Sequence, residues 1–286
     1  MGPMKIDLHT HSRVSDGTDT PTSLVRLAAQ AGLDVIALTD HDSFGGIPEA
    51  MEAGKRIGVK VLCGIEMSTE HNGRSVHLLG YGCDPFDRQL GEELGRIRFG
   101  RTDRLPGMVG KLTEAGLPIT MDDVMTAAGG APAVGRPHVA DALVAKGYVE
   151  DREEAFAKWL GEGCPGYVHR YAVPLERGID LIHAAKGVAV IAHPWGRGNR
   201  ETLPAPYLEE LVRSHALEGI EVDHPDHDDD TRSLLFEMGA RLGLVRTGSS
   251  DYHGTGKKNH PLGSNLTRPS AYRDLIGRIR RRGGVV

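Results

Sequence analysis

Seven short apolar runs recur along this 286-residue chain and constrain its fold more than any other feature. Rich in Val, Ile and Leu, they are Met4–Leu8, Val35–Thr39, Val59–Ile65, Val76–Tyr81, Val188–Ala192, Gly219–Val222 and Leu244–Thr247. Continuous apolar runs of this length are typical of strands that are buried on both faces. Helical patterns that begin near a proline and end near a glycine separate several of the runs, at Thr22–Ala31, Pro48–Ile57, Pro174–Ala185 and Pro206–Leu217. The alternation predicts a mainly parallel α/β fold, and seven strands suggest a closed or nearly closed barrel.

One connection breaks this alternation. The segment between the third and fourth runs is too short for a helix and contains Asn72-Gly73, the strongest short hairpin signal. A two-residue turn there places Glu66 opposite Leu79 and His77 opposite Ser68. Because side chains alternate between the two faces of a strand, Glu66 and His77 then share one face as diagonal neighbours. The hairpin is therefore expected to bring together two side chains that bind metals.

Residues 98–167 interrupt the strand rhythm and are predicted to be helical throughout. The helical pieces are Met108–Ala115, Met121–Ala128, Pro137–Lys146 and Arg152–Leu160, separated by turns that contain glycine or proline. We therefore expect a barrel in two parts, 4–97 and 168–286, interrupted by a small all-helical insertion at 98–167 that covers the substrate.

The composition excludes several classes of protein. With 34 Lys and Arg against 39 Asp and Glu, the net charge of −5 argues against binding along duplex nucleic acid, which requires a basic surface. No apolar run approaches the length of a membrane span, and nothing resembles a signal peptide. Three scattered cysteines are too few for a disulfide framework, which favours the cytoplasm. No pattern indicates an obligate protein partner.

Histidines and carboxylates follow six of the seven runs at or just past their C-terminal ends, the rim where active sites of (β/α) barrels are built. A single such histidine is more often a core residue, but the recurrence on strand after strand favours a common site. The nine candidate ligands are His9, His11, Asp16, His41, Glu66, His77, His193, Asp251 and His253. Imidazole and carboxylate without thiolate suit Mn²⁺, Fe²⁺ or Zn²⁺. Nine ligands predict two or three divalent ions, and clustered ions are typical of hydrolysis at phosphorus or at a carbonyl carbon.

The same residues form motifs that closely resemble the PHP (polymerase and histidinol phosphatase) superfamily. The motifs are His9-Thr10-His11-Ser12, Asp16-Gly17, Thr39-Asp40-His41-Asp42, Gly64-Ile65-Glu66, Ala192-His193-Pro194 and Gly248–Gly254. The resemblance implies a distorted seven-stranded (β/α) barrel with a three-metal phosphoesterase centre. It assigns one ion to His9, His11, Glu66 and Asp251, a second to Glu66, His77 and His193, and a third to Asp16, His41 and His253.

The segment Val134–Ala140 is similar to a small bacterial branch of this superfamily. That branch includes 3′,5′-nucleoside bisphosphate phosphatases and 5′-to-3′ exonucleases that act on short RNA. Within the segment, Arg136 and the helix N-terminus at Pro137 are suited to a phosphate, and His138 belongs to the same motif. Tyr171, His224 and His227 are further candidate substrate contacts.

The resemblance implies hydrolysis of a nucleotide phosphomonoester, with a 3′,5′-nucleoside bisphosphate as the first candidate substrate and a short 5′-phosphorylated RNA as another. A hydroxide that bridges two ions would attack phosphorus, His224 or His227 could protonate the leaving group, and Asp40 would orient the neighbouring ligand His41. The alternatives are an AMP or histidinol-phosphate phosphatase, a metal-dependent amidohydrolase and a non-catalytic PHP module. Amidohydrolases usually add a carboxylated lysine at a strand end, and no apolar run here ends in lysine.

Overall fold

A barrel-shaped sheet that is nearly closed forms the centre of the molecule. The computed structural model describes residues 2–196 and 200–286. The strands are β1 (Ile6–Thr10), β2 (Val35–Leu38), β3 (Lys60–His71), β4 (Arg74–Tyr81), β5 (Val173–Pro174), β6 (Val188–Ile191), β7 (Gly219–Asp223) and β8 (Val245–Gly248). They lie in the order β1-β2-β3-β4-β6-β7-β8, and a bridge from Thr10 to Tyr252 links the two ends of the sheet. The predicted α/β barrel is confirmed.

The structure adds one strand to the seven that were predicted. Val173 pairs with Thr69 and Pro174 with Glu70, so β5 extends the sheet beside the outer end of β3. Pro174 was predicted to begin a helix, but that helix begins at Leu175. A strand of only two residues has no periodic pattern, so sequence reasoning missed it.

The hairpin of β3 and β4 has the predicted register. Glu66 pairs with Leu79 and Ser68 with His77, and the two strands are antiparallel. At the turn, Asn72 and Gly73 have φ angles of 50° and 73°, the left-handed conformation that an Asn-Gly turn uses. Strand β4 is antiparallel to both of its neighbours, β3 and β6, whereas the remaining pairs within the barrel are parallel.

Helices cover the outside and one end of the barrel. They are α1 (Pro21–Gln30), α2 (Ile47–Ile57), α8 (Leu175–Ala184), α9 (Ala205–His215), α10 (Asp229–Arg241) and α11 (Pro269–Arg282). Apolar side chains of α11, including Leu275 and Ile279, belong to the same buried cluster as Leu8, Leu79 and Val190 of the strands. The interior is therefore filled with apolar side chains, which leaves the rim formed by the strand C-termini for polar residues.

A second group of helices lies between β4 and β5. They are α3 (Arg88–Asp103), α4 (Leu105–Glu114), α5 (Met121–Ala128), α6 (Arg136–Ala145) and α7 (Arg152–Ala155), with a π-helical turn at Phe156–Leu160. From α4 onward they share a hydrophobic cluster of their own, which extends from Leu105 to Leu160. We refer to residues 104–167 as the helical cap.

Helix α3 was not predicted. Leu90, Leu94 and Ile97 form an apolar stripe that packs into the barrel cluster. Three glycines in the same helix lower its intrinsic propensity, so that tertiary packing must stabilise it. The helix crosses the expected start of the insertion at residue 98. Among the described residues, no helix is both long enough and apolar enough to cross a lipid bilayer.

Gly73→Ala is expected to lower the free energy of unfolding by about 1–2 kcal/mol, because the alanine Cβ disfavours the left-handed conformation. Gly91→Ala is the matched control. It lies in α3, where an added Cβ meets nothing within 4 Å, and should stabilise the protein slightly. Urea denaturation of both variants measures the difference, and equal effects would contradict the turn assignment.

Candidate metal centre

The nine predicted ligands come from separate segments of the barrel and meet at its C-terminal rim. All are buried except His77, whose side chain is 18% exposed. His9 lies in β1, Glu66 in β3 and His77 in β4, whereas the others follow the ends of their strands. His9 and His11 are two residues apart in extended backbone, so both imidazoles point to the same side, and their Nε2 atoms are 3.1 Å apart.

The carboxylate of Glu66 occupies the middle of this cluster. Five imidazole nitrogens lie within 3.3 Å of its two oxygens. Oε2 is close to His9 (3.3 Å), His11 (3.2 Å) and His41 (3.1 Å), and Oε1 to His77 (2.8 Å) and His193 (3.3 Å). Burial by itself would raise the pKa of this carboxyl, but the surrounding imidazoles hold it well below its usual value. The surrounding imidazoles therefore favour the ionised form of Glu66, which would serve as a ligand to cations held by the same histidines.

Ligand atoms gather into groups within 4.8 Å of one another. The groups are His9, His11 and Asp251; His41, Glu66 and His77; His11, Asp16, His41 and His253; and His224, Asp251 and His260. The first three groups are close to the division that the family resemblance implied, except that His11 and His41 each belong to two of them and Glu66 to one. His193, expected beside Glu66 and His77, is 3.3 Å from Glu66.

The hydrogen bonds of two histidines prepare them to bind a cation. Nδ1 of His253 donates to the main-chain oxygen of Asp251 (2.9 Å), which leaves the Nε2 lone pair facing Asp16 at 3.3 Å. Nδ1 of His9 lies 3.2 Å from a carboxylate oxygen of Glu221, which leaves Nε2 facing Glu66 and Asp251. Imidazole lone pairs and ionised carboxylates that converge in a buried space require a positive charge to offset their burial. The residues therefore fit a cluster of Mn²⁺, Fe²⁺ or Zn²⁺ ions.

Glu221 is a functional residue that sequence reasoning missed. It is completely buried in β7, and besides its contact with His9 it accepts hydrogen bonds from the main-chain nitrogen of His193 (2.9 Å) and the hydroxyl of Ser249. Burial would raise the pKa of Glu221, but His9 and His224 hold it below its usual value. A carboxylate that orients two metal-binding histidines is a common support of metal sites. Its signal was a single charge inside the apolar run Gly219–Val222.

Three residues of the rim adopt left-handed backbone conformations that non-glycine residues rarely use. The φ angles are 53° for Asp42, 30° for His193 and 51° for Asp251. Such conformations cost free energy and persist where the surrounding structure enforces them, as at functional sites. Two of the three are candidate ligands, and Asp42 pairs with Arg101 of α3 (2.7 Å).

Asp40 supports a different part of the site from the one expected. Its carboxylate accepts hydrogen bonds from the main chain and hydroxyl of Ser12 (2.8 and 2.7 Å) and from the hydroxyl of Ser15 (2.7 Å). Burial raises the pKa of Asp40 to about 6. The side chain therefore holds the loop that connects His11 to Asp16, rather than the imidazole of the adjacent His41.

A cavity of about 1110 Å³ extends from the ligand cluster to the helical cap. Five arginines line it, and four of them form what we term the arginine cluster: Arg101, Arg104, Arg136 and Arg170. Burial and neighbouring guanidinium groups lower the pKa of Arg104 to about 8 and that of Arg170 to about 9. Only Arg136 was predicted, because the other three read from sequence as ordinary surface charges.

The four other predicted substrate contacts do not belong to the described wall of this cavity. Nδ1 of His138 accepts a hydrogen bond from the main-chain nitrogen of Gly135 (3.1 Å), so that the side chain caps the start of α6. The hydroxyl of Tyr171 donates to Glu93 of α3.

His224 and His227 are buried and engaged elsewhere, which corrects their expected role as proton donors. Nδ1 of His224 accepts from the main-chain nitrogen of Asp226 (3.0 Å), so its Nε2 carries the proton and donates to Asp251 (3.2 Å). Nδ1 of His227 donates to the main-chain oxygen of Val222 (2.9 Å). His224 thus orients the ligand Asp251, and its occupied Nε2–H argues against a further metal site with Asp251 and His260.

Comparison with known proteins agrees with this fold. The model of the PHP domain matches residues 7–97. The chain belongs to this family, and its site and relatives define it as a metal-dependent phosphoric ester hydrolase.

Individual relatives are similar to this chain over most of its length. Over 283 residues the chain is 36% identical to the 3′,5′-nucleoside bisphosphate phosphatase of Chromobacterium violaceum, covering 96% of this chain and 98% of the relative. It is 33% identical over 252 residues to a 5′-3′ exoribonuclease of Haemophilus influenzae, with coverage of 87% and 90%. A solved structure of a proposed metal-dependent phosphoesterase from Bifidobacterium adolescentis superimposes with a TM-score of 0.91 at 36% identity, over 97% and 98% of the chains.

Glu221→Gln should weaken metal binding about 10- to 100-fold, because the amide places a donor where His193, Ser249 and His9 all require an acceptor. Glu218→Gln is a matched control at the edge of the same strand, where the side chain pairs with Arg282 and His183 outside the cluster. Titration of the metal-free variants with Mn²⁺ by calorimetry measures the affinities. Equal affinities for the two variants would show that Glu221 does not support the ligands.

Proposed function

We propose that this protein is a metal-dependent phosphatase that converts a 3′,5′-nucleoside bisphosphate to the nucleoside 5′-monophosphate and phosphate, and that the same site accepts the 5′ end of a short RNA. The observation that carries the proposal is the arginine cluster on the wall of the cavity that contains the ligand cluster. One phosphate would bind at the ions and the other at the arginines.

Two arginines of the cluster are arranged to receive an anion. Arg104 and Arg170 are 6% and 9% exposed. Their hydrogen bonds within the described structure go to the main-chain oxygens of Val168 (3.1 Å) and Tyr171 (3.1 Å) rather than to carboxylates. Nε of Arg104 is buried without a hydrogen-bond partner among the described residues. Buried guanidinium groups that repel one another are stabilised by a bound phosphate, with which arginine makes paired hydrogen bonds.

The remaining arginines are held in place by the protein. Arg101 donates to Asp42 (2.7 Å) and to the hydroxyl of Ser68 (2.6 Å). Ser68 is paired with His77 in the hairpin of β3 and β4. Arg136, at the start of α6, lies over the rings of Phe156 and Tyr167, 5.4 and 5.7 Å from their centres. The cluster therefore adjoins the hairpin that carries two ligands, so that one small molecule could reach both.

The cavity is large for a nucleotide. Its volume of about 1110 Å³ slightly exceeds the range for small-molecule sites, roughly 300–1,000 Å³. A nucleoside bisphosphate would leave space for part of a further nucleotide, which supports a short RNA as a second substrate. An isolated phosphate or histidinol phosphate would leave Arg104 and Arg170 without a second phosphate to bind.

The ions and the side chains of the protein would contribute different parts of the reaction. The nine candidate ligands would hold two or three divalent ions, which supply an activated water at neutral pH and offset charge on the phosphoryl group. Glu221, His224 and Asp40 orient the ligands, and the arginine cluster would hold the second phosphate so that the scissile one is fixed at the rim.

Protonation of the leaving oxygen requires a side chain at the cavity wall. Lys257 lies there and donates to Asp251, which places its ammonium at the edge of the ligand cluster. We assign it the role that sequence reasoning gave to His224 or His227.

Phosphate release under Mn²⁺ from adenosine 3′,5′-bisphosphate, AMP, histidinol phosphate and an aryl phosphate, together with nucleotide release from a short 5′-phosphorylated RNA, tests the proposal. The bisphosphate should be hydrolysed with the highest kcat/KM, and EDTA should abolish turnover until Mn²⁺ is restored. Preference for AMP or histidinol phosphate would retain the metal chemistry and reject the two-phosphate assignment. Absence of turnover on every compound, with metal bound, would reject the phosphatase.

Arg104→Met should raise KM for adenosine 3′,5′-bisphosphate about 10- to 100-fold, since a hydrogen bond to a charged group contributes about 1.5–3 kcal/mol. KM for an aryl phosphate, which has no second phosphate, should change little. Lys111→Met removes a cap cation whose ammonium binds the main chain of Tyr167, and it serves as the control. Equal changes in KM for both substrates would contradict the role of the cluster.

A further inference from the structure

Arg152, at the start of α7, joins the helical cap to the loops that carry two metal ligands. Its side chain is 14% exposed, and it lies on the wall of the cavity beside Asp16 and His253. It is the first residue of a helix of only four residues, whose N-cap is Asp151. Neither the family motifs nor the proposed reaction assigns it a role.

The guanidinium of Arg152 makes three hydrogen bonds in two directions. Nε and Nη2 donate to the two carboxylate oxygens of Asp141 in α6, both at 2.6 Å. Nη1 donates to the main-chain oxygen of Asp16 at 2.8 Å. The paired contact with Asp141 fixes the plane of the guanidinium, so that Nη1 is directed at Asp16 by a rigid fork.

The loop after His253 is packed against the same guanidinium. A Cβ built on Gly256 would lie 2.3 Å from Nη1 of Arg152, so only a glycine leaves room for this contact. Asp16 and His253 face each other with Oδ1 and Nε2 3.3 Å apart. Arg152 therefore lies against the two loops that supply Asp16 and His253.

The two loops are also bonded to each other. The main-chain nitrogen of Thr18 donates to the oxygen of His253 (3.2 Å), and that of Thr255 donates to the hydroxyl of Thr18 (3.0 Å). A Cβ on Gly254 would lie 1.9 Å from the same hydroxyl. Because these loops are hydrogen-bonded to each other, a contact from the cap to one of them also constrains the other.

We propose that Arg152 is a positioning residue supplied by the helical cap, which sets the geometry of Asp16 and His253 and thereby the affinity for the ion that they hold with His41. The inference rests on the proposed metal centre. It means that this ion binds tightly only while α6 and α7 are docked on the barrel, so the cap contributes to the metal centre as well as to substrate recognition.

The neighbouring ion pair of Lys258 and Asp151 allows this positioning role to be distinguished from general docking of the cap on the barrel. Lys258, on the barrel, contacts Asp151 of the cap and is 65% exposed. It joins the same two parts of the molecule one residue away from Arg152 but touches neither Asp16 nor His253 in the described structure.

The experiment compares Arg152→Met with Lys258→Met and with Asp141→Asn, which weakens the anchor of the guanidinium without altering the loops. Mn²⁺ bound per chain is measured by atomic emission after dialysis, and calorimetry resolves the sites. Arg152→Met should weaken one class of site about tenfold and leave the others unchanged. Asp141→Asn should act in the same direction with a smaller effect, and Lys258→Met should resemble the wild type. The thermal midpoint of each metal-free variant reports whether it is folded.

Two results would overturn the inference. Wild-type affinity at every site in Arg152→Met would show that the arginine does not position the ligands. A loss in Lys258→Met equal to that in Arg152→Met would show that any cap contact suffices. If the wild type itself binds no Mn²⁺, the metal centre fails and the inference fails with it, whereas failure in the variants alone leaves the proposed phosphatase intact.

Discussion

The buried carboxylate of Glu66 is the group on which the rest of the centre depends. Taking an ionised carboxylate out of water is costly, and here five imidazoles and the cations that they would share offset that cost. Its position follows from the hairpin register, because a slip of one residue would turn Glu66 away from the rim. The turn at Asn72 and Gly73 therefore matters for the chemistry although it lies outside the cluster.

The barrel and the helical cap contribute groups to the site that attract ligands of opposite charge. The rim collects carboxylates and histidines that attract cations, whereas α3, the cap and the segment after the cap present arginines that attract anions. Under the proposed function, a substrate with two phosphates would satisfy both, since one phosphate would bind at the ions and the other would relieve the repulsion among Arg104, Arg136 and Arg170. The contact of Arg101 with Asp42 joins α3 to the rim of the barrel, and the contact of Arg152 with Asp16 joins the cap to the same rim.

Sequence reasoning succeeded where a local pattern determines geometry. The alternation of strands and helices, the register that pairs Glu66 with Leu79, and the gathering of nine candidate ligands at one rim all follow from spacing along single elements. It failed where the role of a residue depends on the residues that contact it in the folded protein. Tyr171 and His138 were plausible substrate contacts until the structure showed their hydrogen bonds to Glu93 and Gly135.

The sequence by itself determined the class of fold, the metal-binding chemistry and the family, because strand periodicity and ligand motifs are properties of neighbouring residues. Only the tertiary structure decided which groups support the ligands and which face the substrate. In the sequence, Glu221 is an isolated charge in an apolar strand and Arg104 resembles a surface charge. In the folded protein both side chains are buried, and Glu221 contacts His9. Their roles depend on burial and on partners far away in the chain, and the physical consequence of burial, a charge that must find its counterpart, exists only in the folded molecule.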